Sequence, residues 1–254
     1  MPQRKDLQFA VEGAGEVSAI LLRPAKPRSL LVLAHGAGAG MTHPFLQALA
    51  NELATAGVAT FRYQFPYMEQ KRRAPDRPPM LTATVAAAVR AAAKAAPGLP
   101  LLAGGKSMGG RMTSTAAAQH PLEGVRGLVF FGFPLHPPDK PGTKRGDHLV
   151  DVKLPMLFLQ GTRDTFADLK LLRPICAKLG PTSTLHIMEG ADHSFHVLKS
   201  SGKTDAEVLR ELAETTGIWA QKNLEAQDVD RINRAADRLN SEAQEILDYQ
   251  APEE

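Results

Sequence analysis

The segment that constrains this chain most runs Leu101-Leu102-Ala103-Gly104-Gly105-Lys106-Ser107-Met108-Gly109-Gly110. A short apolar strand enters the pattern G-x-S-x-G, and an alanine-rich helix follows, beginning near Arg111. A serine on a sharp strand-to-helix turn holds its hydroxyl above the sheet, and the turn closes only if the flanking residues lack a Cβ. Gly105 and Gly109 occupy those flanking positions. The helix then aims its positive N-terminal end, and the Met108 amide, at any negative oxygen forming beside Ser107.

Gly105-Lys106-Ser107 also matches the end of a phosphate-binding P-loop. That motif needs a glycine five residues before Gly105, where this chain has Pro100. The strand also runs directly into Gly104 and leaves no room for a phosphate-cradling loop.

Elsewhere the pattern alternates strand and helix. Val17 to Leu22 and Leu30 to Ala34 read as strands, the second apolar throughout, as in a parallel sheet buried on both faces. His35-Gly36-Ala37-Gly38-Ala39-Gly40 follows, and then a helix with Thr42 as its expected cap, Pro44 in its first turn and Gly57 at its end. Further strands are expected over Val58–Tyr63, Val125–Phe131, Leu154–Gln160 and Thr182–Met188. Helices are expected over Met80–Ala96, from the serine turn to His120, over Ala167–Leu179 and over Asp205–Lys222. Such alternation specifies an α/β fold with a mostly parallel sheet and right-handed crossovers. At 254 residues the chain suits one such domain, here residues 1–224, followed by an acidic helical tail over 225–254.

In open parallel sheets, reactive groups collect beyond the carboxyl ends of the strands. Four strand ends carry them here: His35-Gly36-Ala37, Ser107, Asp164 and His193. In this order, Ser before Asp before His, the chain resembles the α/β-hydrolases, and among them the compact dienelactone-hydrolase-like branch, with serine where that enzyme has cysteine. The resemblance covers about residues 17–224 and implies helices on both faces of the sheet.

The chemistry of the groups fits their order. Serine needs a base to take its proton as it attacks a carbonyl carbon, and histidine can accept that proton and return it to the leaving group. His193 is the expected base and Asp164 the carboxylate that orients it. The negative oxygen of the intermediate would be held by the amides of Met108 and, as the resemblance implies, Ala37. Asp164 could instead cap the following helix, with Asp192 or Asp168 taking its place, and His196 is the rival base three residues beyond His193. His35 is expected to be structural, its ring bonded to backbone near the glycine turn.

The remaining features narrow the function further. Cys176 is the only cysteine, so an intrachain disulfide and a cysteine metal site are both excluded, and its apolar neighbours suggest a buried thiol. The other histidines, His43, His120, His136, His148 and His186, lack ligand spacing, so no metal or cofactor is expected. The net charge of +3 does not call for nucleic acid, and no apolar run suggests a signal peptide or membrane span, so a cytoplasmic protein is expected. Residues 225–254 hold nine acids and three bases against a body of net +9. In that tail Val229, Ile232, Ala236, Leu239, Ala243 and Ile246 form an amphipathic seam, too short for a coiled coil, that would dock on the body or on a partner, another copy included. Arginines 72, 73 and 77 and the Lys140, Lys144, Arg145, His148 loop read as solvated, or as a grip on anionic substrates if they overhang the pocket.

Three functions are consistent with this pattern. The first is a serine hydrolase of small to medium esters, thioesters or lactones. The second is a non-catalytic interaction module on the same scaffold, and the third is a serine peptidase.

Overall fold

The computed structural model describes residues 1–250 and the side chains of residues 1–243. Eight strands form one sheet: β1 (Gln3–Val11), β2 (Gly15–Arg23), β3 (Ser29–Ala34), β4 (Val58–Tyr63), β5 (Leu101–Lys106), β6 (Val125–Phe131), β7 (Met156–Gly161) and β8 (Ser183–Met188). Their spatial order is β1-β2-β4-β3-β5-β6-β7-β8. The pairs from β4 through β8 are parallel, while β1 with β2 and β2 with β4 are antiparallel. Among the described residues six α-helices accompany them: α1 (Pro44–Thr55), α2 (Pro66–Glu69), α3 (Pro78–Ala95), α4 (Met108–Gln119), α5 (Leu169–Leu179) and α6 (Asp205–Gln250).

The period-two alternation of each strand sorts its side chains into two cores. Leu30, Val32, Phe130 and Phe158 join Val85 and Met112 on one face. Leu31, Leu33, Phe131 and Leu157 join Leu49, Leu212 and Trp219 on the other. Each fully buried side chain of this kind stabilises the fold by roughly 2 kcal/mol, so the sheet is fixed in register from both faces. The sheet is therefore a rigid platform for whatever its loops carry.

The chain order reverses at β3, whose neighbours are β4 on one side and β5 on the other. Loops leaving β3 and β5 diverge there and open the crevice in which open α/β sheets hold their ligands.

Several expectations need adjustment. β1 is an additional strand, since Gln3–Val11 alternates outward polar residues with inward Leu7, Phe9 and Val11. His43 rather than Thr42 caps α1, its Nδ1 accepting from the Phe45 amide at 3.2 Å. The loop over residues 65–79 contains the short α2. The helix expected to stop at Lys222 continues as α6 to Gln250, because no proline or glycine interrupts it there.

Along α6, ties to the body extend to Asp228. Leu224 is buried, the side-chain amide of Gln227 exchanges hydrogen bonds with Arg126, and Asp228 pairs with Arg126 at 3.0 Å. Beyond that point the seam does not dock on the body: Val229, Ile232 and Leu239 are 55%, 64% and 59% exposed, and Ala236 and Ala243 are exposed too. The side chain of Ile246 lies outside the described residues. Among the described residues no helix is long and apolar enough to cross a membrane.

Candidate active site

Ser107 sits between β5 and α4 with φ 52° and ψ −119°, a left-handed conformation that L-residues adopt only at a cost. Two backbone bonds hold it there, from its amide to Phe131 O at 3.1 Å and from the Arg111 amide to its carbonyl at 3.1 Å. A Cβ on Gly105 would come within 2.6 Å of Ala34 O, and one on Gly109 within 2.6 Å of His35 O. Both obstacles are backbone atoms, so the turn requires glycine at both positions. Helix α4 begins at Met108, earlier than the sequence suggested, and the Met108 amide is thus one of those a helix leaves without an internal acceptor.

The structure brings three distant side chains into one hydrogen-bonded line. His193 Nε2 lies 2.8 Å from Ser107 Oγ, and its Nδ1 lies 2.8 Å from Asp164 Oδ2. Asp164 is buried and anchored further, accepting from the Phe166 amide through Oδ1 and from Gln160 Nε2 through Oδ2. Because a carboxylate only accepts, Nδ1 of His193 carries the hydrogen and Nε2 is left with a lone pair facing the serine hydroxyl.

The rival residues are occupied elsewhere. Asp168 caps α5 by accepting from the Lys170 amide at 2.8 Å. Asp192 accepts from the amides of Ser194 and His196 and so shapes the turn that carries His193. His196 is on the surface beside Asp205, 2.8 Å away, and that hydrogen bond raises its pKa.

His35 is wholly buried, with Nδ1 2.7 Å from Gly36 O and Nε2 accepting from the Phe65 amide at 3.2 Å. Desolvation pulls its pKa down to about 4, which keeps the ring neutral at pH 7. It therefore fastens the start of the glycine turn to the loop after β4, in the structural place expected for it. That turn lies against the elbow, since a Cβ on Gly36 would stand 3.7 Å from Ser107 Cβ. Tyr67 accepts from the Gly38 amide at 2.9 Å and holds the turn from its other side. Ala37 is exposed on this turn, and among the described residues its amide has no hydrogen-bond partner within the chain.

Other groups at the site were not singled out by the sequence. Gln160 is fully buried and bridges the Phe133 amide to Asp164. Its one signal was a lone amide in the apolar strand Met156–Gly161, at a position that period-two packing would make hydrophobic. His136 accepts from the Asp168 amide at 2.9 Å and joins the loop after β6 to the loop carrying Asp164. The ring of Phe166 lies 4.2 Å from that of His193 and covers it.

In the basic loops Arg73 and Arg77 are exposed, whereas Arg72 and His148 are engaged in structure. Arg72 pairs with Asp76, which also accepts from the Tyr67 amide. His148 lies 2.7 Å from Ser114 Oγ on α4, and burial together with nearby Arg111 lowers its pKa. A groove of about 410 Å³ between β1 and α3 is lined by Leu7, Phe9, Phe61 and Arg90 and contains none of the residues brought together here. Cys176 is a buried thiol whose pKa is pushed up to about 11 by desolvation.

Comparison with known proteins follows the same outline. A family model described as an alpha/beta hydrolase domain matches residues 27–221. Among solved structures, a dienelactone hydrolase from Anabaena variabilis is similar at 23% identity with a TM-score of 0.68, over 87% of this chain and 98% of its own. An alpha-beta serine hydrolase homologue from Coxiella burnetii is similar at 19% identity with a TM-score of 0.68, over 84% and 96%. A lidless serine hydrolase from Xanthomonas campestris is similar at 19% identity with a TM-score of 0.65, over 84% and 94%.

Proposed function

The chain belongs to the α/β-hydrolase family, and on that premise we propose that it is a serine hydrolase cleaving a small to medium ester, thioester or lactone through an acyl-enzyme. The observation that carries the reading is the unbroken line from Ser107 Oγ through His193 to Asp164, with both links at 2.8 Å.

In the proposed reaction His193 Nε2 takes the Ser107 proton as Oγ bonds to the substrate carbonyl carbon, and the carbonyl electrons move onto oxygen. The amides of Met108 and Ala37 hold that oxyanion, and each such donor is worth on the order of 3 kcal/mol. Asp164 stabilises the imidazolium through Nδ1. The intermediate then collapses and expels an alkoxide or thiolate, which takes the proton from His193. A water molecule, deprotonated in turn by His193, repeats the attack and releases the acid and free Ser107.

The connections support a small to medium substrate. The longest of them between strands on the β6 to β8 side, residues 132–155, folds a 3-10 turn over Lys144–Asp151 and buries Leu149 rather than forming a separate lid domain. This supports a short acyl group over a long-chain lipid. The substrate is a small molecule, and neither nucleic acid nor a membrane is invoked. The one cysteine, a buried thiol, accords with a cytoplasmic protein.

A fluorophosphonate probe is expected to label Ser107 in the folded protein, and Ser107→Ala to abolish labelling and lower turnover of p-nitrophenyl acetate about a million-fold. Absence of labelling in the wild type would overturn the reading. A series of p-nitrophenyl esters of rising acyl length, run beside a lactone and a peptide amide, would then define the substrate.

One observation favours a second role beside catalysis. The exposed Val229, Ile232 and Leu239 on α6 offer an apolar stripe to a second copy or another protein.

A further inference from the structure

Lys106, the variable residue before the serine in G-x-S-x-G, has no part in the reaction just described, yet its ammonium lies inside the site. Some of the side chain touches solvent, but Nζ is fully buried and has no hydrogen-bond partner among the described residues. The side chain leaves β5 on the α1 and α6 face, and Nζ stands 5.6 Å from the centroid of Phe195.

Gly132 defines the place. It has φ +68°, and a Cβ there would stand 3.1 Å from Lys106 Nζ, 3.4 Å from Asp164 Oδ2 and 3.5 Å from His193 Nδ1. Ammonium, carboxylate and imidazole thus line one small space that a single methyl group would crowd. The charged and titratable groups facing Nζ are Asp164 from the loop after β7, and Asp192 and His193 from the loop after β8. The end of β6 contributes only Gly132, and the His193 loop adds the ring of Phe195.

Packing alone does not ask for lysine here. A methionine would fill a similar volume with no charge to desolvate, whereas a buried ammonium without an acceptor opposes folding. The surroundings offset that cost only in part. Phe195 turns its face to the charge and is itself held in a left-handed conformation at φ 63°, stacked on Phe45. Desolvation lowers the Lys106 pKa to about 8 while Asp164 and Asp192 oppose the fall, so the group remains charged at pH 7.

We infer that Lys106 is a positioning residue for the Asp164–His193 pair, its buried ammonium offsetting part of the carboxylate's charge so that His193 stays a free base to lower pH. The inference rests on the reading of Ser107, His193 and Asp164 as a triad. Its sign follows from like charges: an imidazolium at residue 193 would share a desolvated space with a second cation and forms less readily for it. With the ammonium removed, Asp164 acts on the ring unopposed and the ring holds its proton to higher pH.

The test is the titration of His193 by NMR on protein carrying ¹³C-labelled histidine, the signal being assigned by its loss in His193→Gln. In Lys106→Met the midpoint is expected to rise by about half a unit to one unit relative to wild type. If methionine is not accommodated, Lys106→Gln carries the same expectation. The acid limb of kcat/KM for p-nitrophenyl acetate should move up by the same amount. Loss of a merely structural residue would lower the whole profile without moving that limb. An unchanged His193 midpoint in a folded neutral variant would overturn the inference. The NMR midpoint can be read whether or not the protein hydrolyses any ester, so failure of the proposed function and failure of this inference remain distinguishable.

Discussion

The ends of β3 and β7 and the part of α6 beyond Asp228 invert the usual partition between inside and outside. At the strand ends, Asp164, Gln160 and His35 are polar and buried, each with its hydrogen-bonding atoms engaged by named partners. Beyond Asp228, Val229, Ile232 and Leu239 are apolar and exposed. Both arrangements oppose the tendency of polar groups to remain in water and of apolar groups to leave it. They differ in how the cost is met. The buried groups are satisfied within the chain and make a rigid site, whereas the exposed stripe can be satisfied only by something outside it.

Substitution of the acid is expected to expose that contrast most sharply. Asp164→Asn should lower kcat by about four orders of magnitude, because an amide at that position favours the wrong histidine tautomer. Asp168→Ala, which removes only a helix cap, should cost about 1 kcal/mol in urea unfolding and leave kcat within a few-fold. Equal losses of activity from the two would place the acid elsewhere.

The next effect is on stability at low pH. His35 has its pKa depressed to about 4 in the folded protein against 6.5 when unfolded. Its contribution is therefore complete above pH 6.5 and is lost as pH falls through about 4, a loss of about 3 kcal/mol by linkage. Urea midpoints from pH 7 to pH 4 should decline more steeply for wild type than for His35→Gln, the difference excluding carboxylates common to both. Parallel declines would mean that the ring protonates without penalty.

The smallest effect is expected at the other region. Ending the chain after Asp228 preserves the ties of Leu224, Gln227 and Asp228 to the body. It should leave kcat/KM within about two-fold and thermal unfolding nearly unchanged, while any self-association seen by sedimentation is lost. A large fall in activity would show that the helix end serves the site after all.

The legible and illegible parts of this protein differ for physical reasons. Gly105 and Gly109 could be read because backbone atoms leave no space for a Cβ, a local demand that any sequence making this turn must meet. The strands β3, β6 and β7 could be read because burial on both faces favours long apolar runs. β1 was hidden because an edge strand with one wet face carries only half that signal. Gln160 was hidden because a buried amide is indistinguishable from an exposed one until its partners are known. The continuous α6 could have been anticipated, since residues 223–228 contain no helix breaker.

By itself the sequence determined the succession of strands from β2 onward, the serine turn and a short set of candidate acids and bases, all of which depend on local sterics or on the period of apolar residues. Only the tertiary structure separated Asp164 from Asp168 and Asp192, brought His193 rather than His196 to Ser107, seated Lys106 beneath that pair and left the α6 stripe uncovered. Those outcomes depend on which groups from distant parts of the chain come within hydrogen-bonding reach, and no pattern along the chain encodes a distance across the sheet.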